Sequence, residues 1–267
     1  MGNPPFLPGL VTVIVPFFNR ERFLPRTIAS ILRQSYPKLQ LILSDDGSTD
    51  RSWSVAGSFR DRRILLIRSG KQRGKPHAVN QALRFAQGEW IAFFDSDDLM
   101  VPRSLEVRVD FLKRHPGALA VMGRVGRLID GSGKPLPKNH PIQKNFRDSL
   151  RTTRLFARWL GSLNPELFAF GECPLSPLSV TLFRCKTVDR LGKIEERFAP
   201  WEDREYVTRL ALQQPVPFLD ASVMWYRVHR KNLSFRILGG CLFHPKQPLL
   251  ERRLKARYTE LSGQTIP

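Results

Sequence analysis

Short apolar runs alternate with helix-like patterns over the first hundred residues of the chain. The apolar runs cover residues 10–15, 39–43, 64–67 and 90–94. Between them, apolar residues recur three or four positions apart at 24–32 and again at 78–86, which is the spacing of one helix face. Strands this uniformly apolar are typical of a parallel sheet covered on both faces, and strands that alternate with helices form right-handed βαβ units. The pattern therefore predicts an α/β fold with a Rossmann-like, mostly parallel central sheet flanked by helices.

The same kinds of pattern continue beyond residue 100. They predict helices from Pro102 and at 147–160 and 202–213, and strands at 118–129, 178–183, 216–219 and 223–228. A stretch rich in Gly and Pro at 130–142 predicts a loop. We predict one domain over residues 1–235, with halves at about 10–100 and 101–235, followed by a basic tail at 236–267.

Composition and charge indicate which kinds of ligand or macromolecule the chain could bind. The chain has 267 residues, of which 42% are hydrophobic, so it can bury a core without disulfides or a structural metal. Its 43 Lys and Arg against 24 Asp and Glu give a net charge of +19. A charge this large predicts an anionic partner, and nucleic acid, acidic lipid headgroups and phosphorylated small molecules all qualify.

Cysteine use and hydropathy bear on the compartment. Cys173, Cys185 and Cys241 are far apart, which argues against a zinc site or a disulfide framework. No apolar stretch approaches the ~20 residues that a membrane-spanning helix needs, and the N-terminus lacks the basic region of a secretory signal. We expect a cytoplasmic location, peripheral at the inner face of the cytoplasmic membrane.

Polar clusters follow three of the predicted strands, at 16–19, 45–46 and 95–97. Ligands on parallel sheets bind outside the carboxyl ends of the strands, so the three clusters should meet at one edge. Two carboxylates separated by one residue, at Asp95 and Asp97, suit a hard cation such as Mg²⁺ or Mn²⁺. The alternative is an Asp-rich turn that caps the helix after Pro102.

Four segments occur in a characteristic order and spacing: VTVIVPFFNRERFL (11–24), SILRQSYPKLQLILSDDGSTD (30–50), GEWIAFFDSDD (88–98) and APWEDREYVTRLA (199–211). Together they closely resemble the family 2 glycosyltransferases, which have the GT-A fold, over roughly residues 10–230. The resemblance implies an inverting, metal-dependent enzyme that moves a sugar from a nucleotide-diphosphate sugar, in the first place a UDP-sugar, to an acceptor hydroxyl. The acceptor it implies is a polysaccharide or glycolipid precursor.

On the donor side, the resemblance assigns the residues that bind the nucleotide. They are Pro16, Phe17, Asn19, Asp46, Lys75 and Asp95. A carboxylate at Asp46 can accept a hydrogen bond from the imide N–H of uracil, although a residue before Gly47 could also simply form a turn. Asp95 matches the position that contacts ribose, and Lys75 the position that approaches phosphate. Phe17 could equally be a core residue, with only its backbone facing a ligand.

The resemblance also assigns the metal and the catalytic group. Asp97 matches the ligand of a divalent cation, Mn²⁺ or Mg²⁺, and His229 matches a second residue near the diphosphate or metal. Asp203 matches the general base, with Trp201 and Glu202 on the acceptor side. From the sequence alone, Glu202 and Asp203 could equally be acidic residues in the first turn of a helix, Trp201 a core residue and His229 a structural histidine.

Two other classes of function remain open at this stage. A non-catalytic module that binds nucleotide sugars or anionic surfaces could have the same fold. Nucleic-acid binding ranks last, because no nucleic-acid motif is present and the charge is spread along the chain. Basic stretches at 147–158 and 246–257 favour a lipid-linked or phosphorylated acceptor and contact with an anionic membrane, or form an ordinary solvated face. The sequence does not predict the sugar, the linkage or the oligomeric state.

Overall fold

Strands and helices alternate along the chain, as the hydrophobic pattern predicts. The computed structural model describes residues 6–140, 142–143, 162–163, 177–199, 201–229, 237–238, 241–242 and 247–263. The strands are β1 Leu7–Phe17, β2 Leu39–Asp45, β3 Ile64–Arg68, β4 Gly88–Phe93, β5 Leu99–Met100, β6 Ala120–Ile129, β7 Ser162–Leu163, β8 Thr181–Arg184, β9 Val216–Arg227, β10 Ile237–Leu238 and β11 Cys241–Leu242. The helices are α1 Leu24–Leu32, α2 Ser52–Gly57, α3 Lys75–Leu83, α4 Ser104–Arg114, α5 Cys185–Leu191, α6 Glu202–Gln213 and α7 Gln247–Ser262, with a 3₁₀ turn at Glu196–Phe198.

One sheet runs through both predicted halves of the chain. Its strand order is β3-β2-β1-β4-β8-β6-β9-β5, and β7 also pairs with β9. Strands β1, β2, β3, β4, β6 and β9 run in one direction, whereas β5, β7 and β8 run against them. The expectation of a mostly parallel sheet is therefore confirmed for the described strands. β1 lies between β2 and β4 and is parallel to both. The segments that follow these three strands therefore meet at the carboxyl-terminal ends of the strands.

An aromatic cluster fixes α6 against the middle of the sheet. Phe93 on β4, Phe183 on β8 and Tyr206 on α6 are fully or almost fully buried. Their ring centroids lie 5.6 to 5.9 Å apart in edge-to-face geometry, which is the favourable arrangement for aromatic pairs. Phe93 stands two residues before Asp95 and Tyr206 three residues after Asp203. The cluster therefore holds the start of α6 close to the end of β4.

The structure departs from the sequence prediction in the second half. The two strands predicted at 216–219 and 223–228 form one strand, β9. The polar residues between them interrupt the apolar pattern, but Asp220 pairs with Arg124 on β6 at 2.6 Å, so its charge is satisfied across the sheet. Helices α2 and α5 were not predicted, because each is too short to give a clear periodicity.

Some predictions fall outside the described part of the chain. The basic helix predicted at 147–160 lies among residues that the structure does not describe, and so does much of the predicted tail. Within the tail, α7 is described from Gln247 to Ser262. None of the described helices has both the length and the apolar character that crossing a membrane requires.

Candidate active site

Asp46 holds the start of α3. It follows β2 and is 3% exposed. Its two carboxylate oxygens accept hydrogen bonds from the backbone N–H groups of Arg73, at 2.9 Å, and Gly74, at 2.7 Å. Gly74 has a φ of 102°, which only glycine adopts readily, and it directly precedes α3. Asp46 therefore fixes the backbone that carries Lys75, the first residue of α3.

The segment after β1 is shaped by its own side chains. Asn19 has a φ of 53°, and its Oδ1 accepts hydrogen bonds from the backbone N–H groups of Thr49 and Asp50 at 2.9 and 3.2 Å. Pro16 and Phe17 are buried. The Asn19 amide is thus engaged in holding the loop after β2, and Phe17 packs in the core, which leaves the backbone of this segment as its ligand-facing part.

Lys75 joins the end of β4 to the start of α6. Its Nζ lies 2.6 Å from Oδ1 of Asp95 and 3.6 Å from Oε1 of Glu202. Burial by itself lowers the pKa of Lys75, but the carboxylates of Asp95, Glu202 and Asp203 together raise it above its usual range. Lys75 therefore carries a positive charge at any physiological pH. Ser179 completes this group, since its hydroxyl donates to Oδ2 of Asp95 at 3.0 Å.

The first turn of α6 carries two carboxyl groups with raised pKa values. Glu202 is 4% exposed, and burial raises its pKa, with Lys75 opposing and Asp203 adding to the effect. Burial also raises the pKa of Asp203, against the lowering effect of Lys75 and Arg204. A carboxylate with a raised pKa is a stronger base, which suits proton abstraction.

Asp97 lies between Arg20 and His229. Its Oδ2 is 3.3 Å from Nε of Arg20 and 3.1 Å from Nε2 of His229. Although burial raises its pKa, the hydrogen bond with His229 and the charge of Arg20 lower it overall, so Asp97 is ionised. The imidazole of His229 stacks on Phe23 with centroids 4.4 Å apart, which fixes the orientation of the ring.

Asp98 belongs to the framework of the site. It is 1% exposed, and its Oδ1 accepts the backbone N–H of Arg227 at 2.7 Å. The Arg227 guanidinium is buried, lies 5.3 Å from the Phe23 ring and donates to the backbone carbonyl of Asp97. Arg227 thus orients the backbone at Asp97.

The donor atoms near Asp97 fit a divalent cation that also binds phosphate. A carboxylate oxygen and an imidazole nitrogen lie 3.1 Å apart, and the second carboxylate of the Asp95–Asp97 pair is on the same strand end. Mg²⁺ typically uses one or two carboxylates and completes its shell with substrate phosphates, and imidazole and carboxylate together suit Mn²⁺. Among the described residues, no group of three or more His, Cys, Asp or Glu side chains that could hold a metal ion is present.

The site therefore brings together most of the residues that the sequence singled out. Asp95, Lys75, Glu202 and Asp203 form one charged group, Asp97 and His229 are in hydrogen-bond contact, and Asp46 connects to the first group through α3. Trp201 stands beside this group, with the Arg204 guanidinium 4.7 Å above its ring.

Two residues of the site, Arg20 and Ser179, were not predicted from the sequence. Arg20 directly follows Asn19 in a segment already singled out, whereas the stretch around Ser179 carries no motif.

Comparisons with known proteins agree with this architecture. The family model described as "Glycosyl transferase family 2" matches residues 12–169. The UDP-Glc:alpha-D-GlcNAc-diphosphoundecaprenol beta-1,3-glucosyltransferase WfgD of Escherichia coli is 35% identical over 106 residues, which are 40% of this chain and 42% of that protein. The chain spans about two fifths of the length of the first curated relatives it matches.

Two solved structures are similar in fold. The mannosyltransferase PcManGT from Pyrobaculum calidifontis, in complex with GDP-Man and Mn²⁺, has a TM-score of 0.62 at 25% identity; the match covers 83% of this chain and 57% of that one. TarS residues 1–349 from S. aureus, in complex with UDP-GlcNAc, has a TM-score of 0.68 at 18% identity, with 94% of this chain and 67% of that one covered. The TarS match bears on the fold alone.

Proposed function

Because the chain belongs to glycosyl transferase family 2 and has the GT-A fold, we propose that it transfers a sugar from a nucleotide-diphosphate sugar to an acceptor hydroxyl with inversion at the anomeric carbon. The observation that carries this proposal is the position of Lys75, whose ammonium contacts both Asp95 and Glu202. It places the carboxylates proposed for the donor side next to the carboxyl pair proposed for the acceptor side. A reaction between two substrates needs such a juxtaposition.

The donor is bound at the edge formed by the segments after β1, β2 and β4. The backbone at 16–19 and the carboxylate of Asp46 face the base. Asp46 can accept a hydrogen bond from the base because a carboxylate has acceptor positions beyond the two that the N–H groups of Arg73 and Gly74 use. Asp95 contacts the ribose and Lys75 the diphosphate, whose negative charge its ammonium neutralises. The base is uracil in this proposal, supported by the UDP-Glc in the name of WfgD.

A divalent cation, Mn²⁺ or Mg²⁺, would be held by Asp97 and His229, with Asp95 beside them. When bound, it supplies charge neutralisation to the departing nucleoside diphosphate. Arg20 pairs with Asp97 in the structure and keeps that carboxylate ionised and oriented. The proposal for a cation is supported by this donor set and by the Mn²⁺ bound in PcManGT.

Asp203 is the general base. Its carboxylate takes the proton of the acceptor hydroxyl while the acceptor oxygen forms a bond to the anomeric carbon. The bond from that carbon to the diphosphate oxygen breaks on the opposite face, and the electron pair leaves with the nucleoside diphosphate. One carboxylate base is sufficient here, because the leaving group departs as a stabilised anion and needs no protonation by a second carboxyl. Glu202 and Trp201 line the acceptor side.

The acceptor we propose is a polysaccharide or lipid-linked precursor. The name of WfgD specifies a diphosphoundecaprenol-linked sugar, and a chain with a net charge of +19 attracts phosphorylated acceptors and anionic lipid surfaces. On α7, Arg252, Arg253 and Lys255 are exposed, which supports peripheral contact with the anionic inner face of a membrane.

A thermal-shift screen of UDP-, GDP- and dTDP-sugars with and without Mn²⁺ tests the proposal. A bound donor stabilises the folded state by mass action, so the preferred nucleotide sugar should raise Tm, and only when Mn²⁺ is present. Release of the nucleoside diphosphate, measured over time with the preferred donor, then separates an enzyme from a module that binds without turnover. A chain that no nucleotide sugar stabilises would contradict the proposal.

A further inference from the structure

Arg20 is the arginine beside the carboxylate that we propose as a metal ligand. It lies in the loop after β1, and its Nε is 3.3 Å from Oδ2 of Asp97. The side chains of Arg20 and Asp97 are only 19% and 13% exposed. Water and salt screen such a partly buried pair much less than a pair on the surface, so the charge of Arg20 acts strongly on Asp97.

The loop after β1 holds Arg20 in place. The backbone N–H of Arg20 donates to Oγ of Ser52 at 2.7 Å. At the far end of the side chain, Nη1 donates to the backbone carbonyls of Phe18 and Asn19 at 3.2 and 3.3 Å. Asn19 is itself fixed, since its Oδ1 accepts two backbone N–H groups from the loop after β2. The fold therefore keeps the guanidinium at this position without relying on Asp97.

Arg20 and His229 contact the same oxygen of Asp97 in different ways. Nε2 of His229 is in hydrogen-bond contact with Oδ2 at 3.1 Å. The Nε of Arg20 is buried and has no hydrogen-bond acceptor in the part of the chain that the structure describes, so its contact with Asp97 is one of charge alone. A buried N–H without an acceptor is unfavourable. The contact with Arg20 is thus the one that a competing cation would replace.

The charge of Arg20 has opposite effects on the two proposed ligands of this site. A divalent cation held by Asp97 and His229 would adjoin the Arg20 guanidinium, and like charges at short range repel each other. Arg20 and that cation also compete for the negative charge of one carboxylate. The donor diphosphate is an anion, and a planar guanidinium matches the geometry of phosphate oxygens. Arg20 should therefore oppose the cation and favour the diphosphate.

We infer that Arg20 is a competing counter-ion of Asp97, which weakens the binding of a divalent cation alone and strengthens the binding of the nucleoside diphosphate. The inference rests on the proposed function, because it concerns the cation and the donor assigned to this site. The diphosphate offsets the repulsion between Arg20 and the cation, and it gives the guanidinium a hydrogen-bond acceptor. The site should consequently retain its cation best when a donor is bound.

The test measures the two ligands separately on the full chain. Mn²⁺ is titrated without nucleotide, and the free ion is measured by its electron paramagnetic resonance signal. UDP is titrated calorimetrically in EDTA, without metal. Arg20→Gln removes the charge, and Arg20→Lys keeps it. Arg22→Gln is the matched control, because Arg22 is an exposed arginine of the same segment whose guanidinium lies over the Phe23 ring, 5.5 Å from the centroid.

In Arg20→Gln, Mn²⁺ alone should bind at least about fivefold more tightly than in the wild type, because a neighbouring like charge is gone. UDP alone should bind at least about fivefold more weakly, because a cation that attracts the diphosphate is gone. Arg22→Gln should stay within about twofold of the wild type in both titrations, since exposed charges are screened. Arg20→Lys should lie closer to the wild type than to Arg20→Gln. A merely structural role of Arg20 would weaken both ligands together.

Mn²⁺ binding that is unchanged or weaker in Arg20→Gln would overturn the inference. So would an equal gain in Arg22→Gln, which would indicate a general effect of net charge. Asp97→Asn is titrated in parallel to judge the proposed metal site by itself. If Asp97→Asn loses Mn²⁺ and Arg20→Gln binds it as the wild type does, the metal site stands and the inference fails. If no protein of the series binds Mn²⁺, with or without UDP, the proposed cation fails and the inference fails with it.

Discussion

The ammonium of Lys75 lies 2.6 Å from Oδ1 of Asp95, and this contact ties the end of β4 to the start of α3. The position of Lys75 follows from Asp46, which binds the backbone N–H of Gly74 at 2.7 Å. The same ammonium lies 3.6 Å from Glu202. The ammonium of Lys75 thus links Asp95, after β4, with the carboxyl pair on α6. Removing this ammonium should therefore affect both groups.

Replacement of Lys75 by methionine should reduce transfer by about 10²-fold, the usual loss when one charged donor to a developing anion is removed. The fall should appear in kcat and in affinity for the nucleotide diphosphate, because Lys75 faces the diphosphate in the proposed site. Steady-state kinetics with the preferred donor measure both. Lys71→Met, an exposed neighbour in the same loop, is the control and should behave as wild type. Unchanged kinetics in Lys75→Met would remove the residue from the donor site.

Asp203→Asn tests the proposed base. The amide keeps the size of the side chain but cannot accept the proton, so transfer should fall by about 10³-fold, within the range for loss of a positioned general base. Binding of the donor with Mn²⁺, measured by calorimetry, should change by less than about twofold, because the diphosphate does not contact Asp203 in the proposal. Asp110→Asn, at an exposed carboxylate on α4, controls for the charge change. Near-normal turnover of Asp203→Asn would show that another group accepts the proton.

The pH dependence of transfer should reflect the environment of Asp203. Burial raises the pKa of its carboxyl above the ordinary aspartate value, and the base must be deprotonated to act. The acidic limb of the kcat profile should therefore lie at higher pH than an ordinary aspartate would give, with activity lost as the pH falls through it. Lys75 lowers this pKa, so the residual activity of Lys75→Met should have its acidic limb at higher pH than wild type. A limb that stays in place or moves to lower pH would contradict the assignment.

The sequence predicted the sheet and the convergence of the carboxylates better than it predicted the residues that contact those carboxylates. Apolar strands such as β1 and β4 are visible as uninterrupted runs, and polar residues at their ends must share an edge in a parallel sheet. The contact between Lys75 and Glu202 could not be read in this way. It depends on how α6 packs against the sheet through Tyr206, and packing between distant segments leaves no local pattern.

The different roles of Asp97 and Asp98 were also only partly predictable. The sequence left an Asp-rich turn as the alternative for this stretch, and in the structure Asp98 has a structural role, since it accepts the backbone N–H of Arg227 inside the fold. Arg227 itself is fully buried. Asp97 and Asp98 lie in a turn after β4, in which the N–H of Asp98 donates to the carbonyl of Asp95 at 3.4 Å. Adjacent carboxylates of one motif thus serve the site and the core respectively.

Asp97→Asn and Asp98→Ala should therefore fail in different ways. Asp97→Asn should abolish the Mn²⁺-dependent part of donor binding, because an amide is a much poorer ligand for a hard cation than a carboxylate. Asp98→Ala should lower the free energy of unfolding by about 1–3 kcal/mol, as the buried N–H of Arg227 loses its acceptor.

Calorimetric titration of UDP with and without Mn²⁺, together with urea unfolding, separates the two outcomes. The expected pattern is a binding defect in Asp97→Asn and a stability defect in Asp98→Ala. If Mn²⁺ strengthened UDP binding equally in Asp97→Asn and in the wild type, Asp97 would be a turn residue without a metal role. If Asp98→Ala were as stable as the wild type, the contact with Arg227 would contribute nothing to folding.

A buried arginine on α4 gives a prediction about stability alone. Arg108 is fully buried, its guanidinium donates to the backbone carbonyl and the hydroxyl of Ser104, and burial lowers its pKa. No carboxylate among the described residues pairs with it. A charge desolvated without a counter-ion is costly, and an apolar side chain of similar length often stabilises such a position.

Arg108→Met should therefore raise the free energy of unfolding by about 1 kcal/mol or more, measured by urea denaturation. Arg114→Met, at an exposed position on the same helix, should stay within about 0.5 kcal/mol of wild type. A clear loss of stability in Arg108→Met would mean that the two hydrogen bonds to Ser104 outweigh the cost of burying the charge.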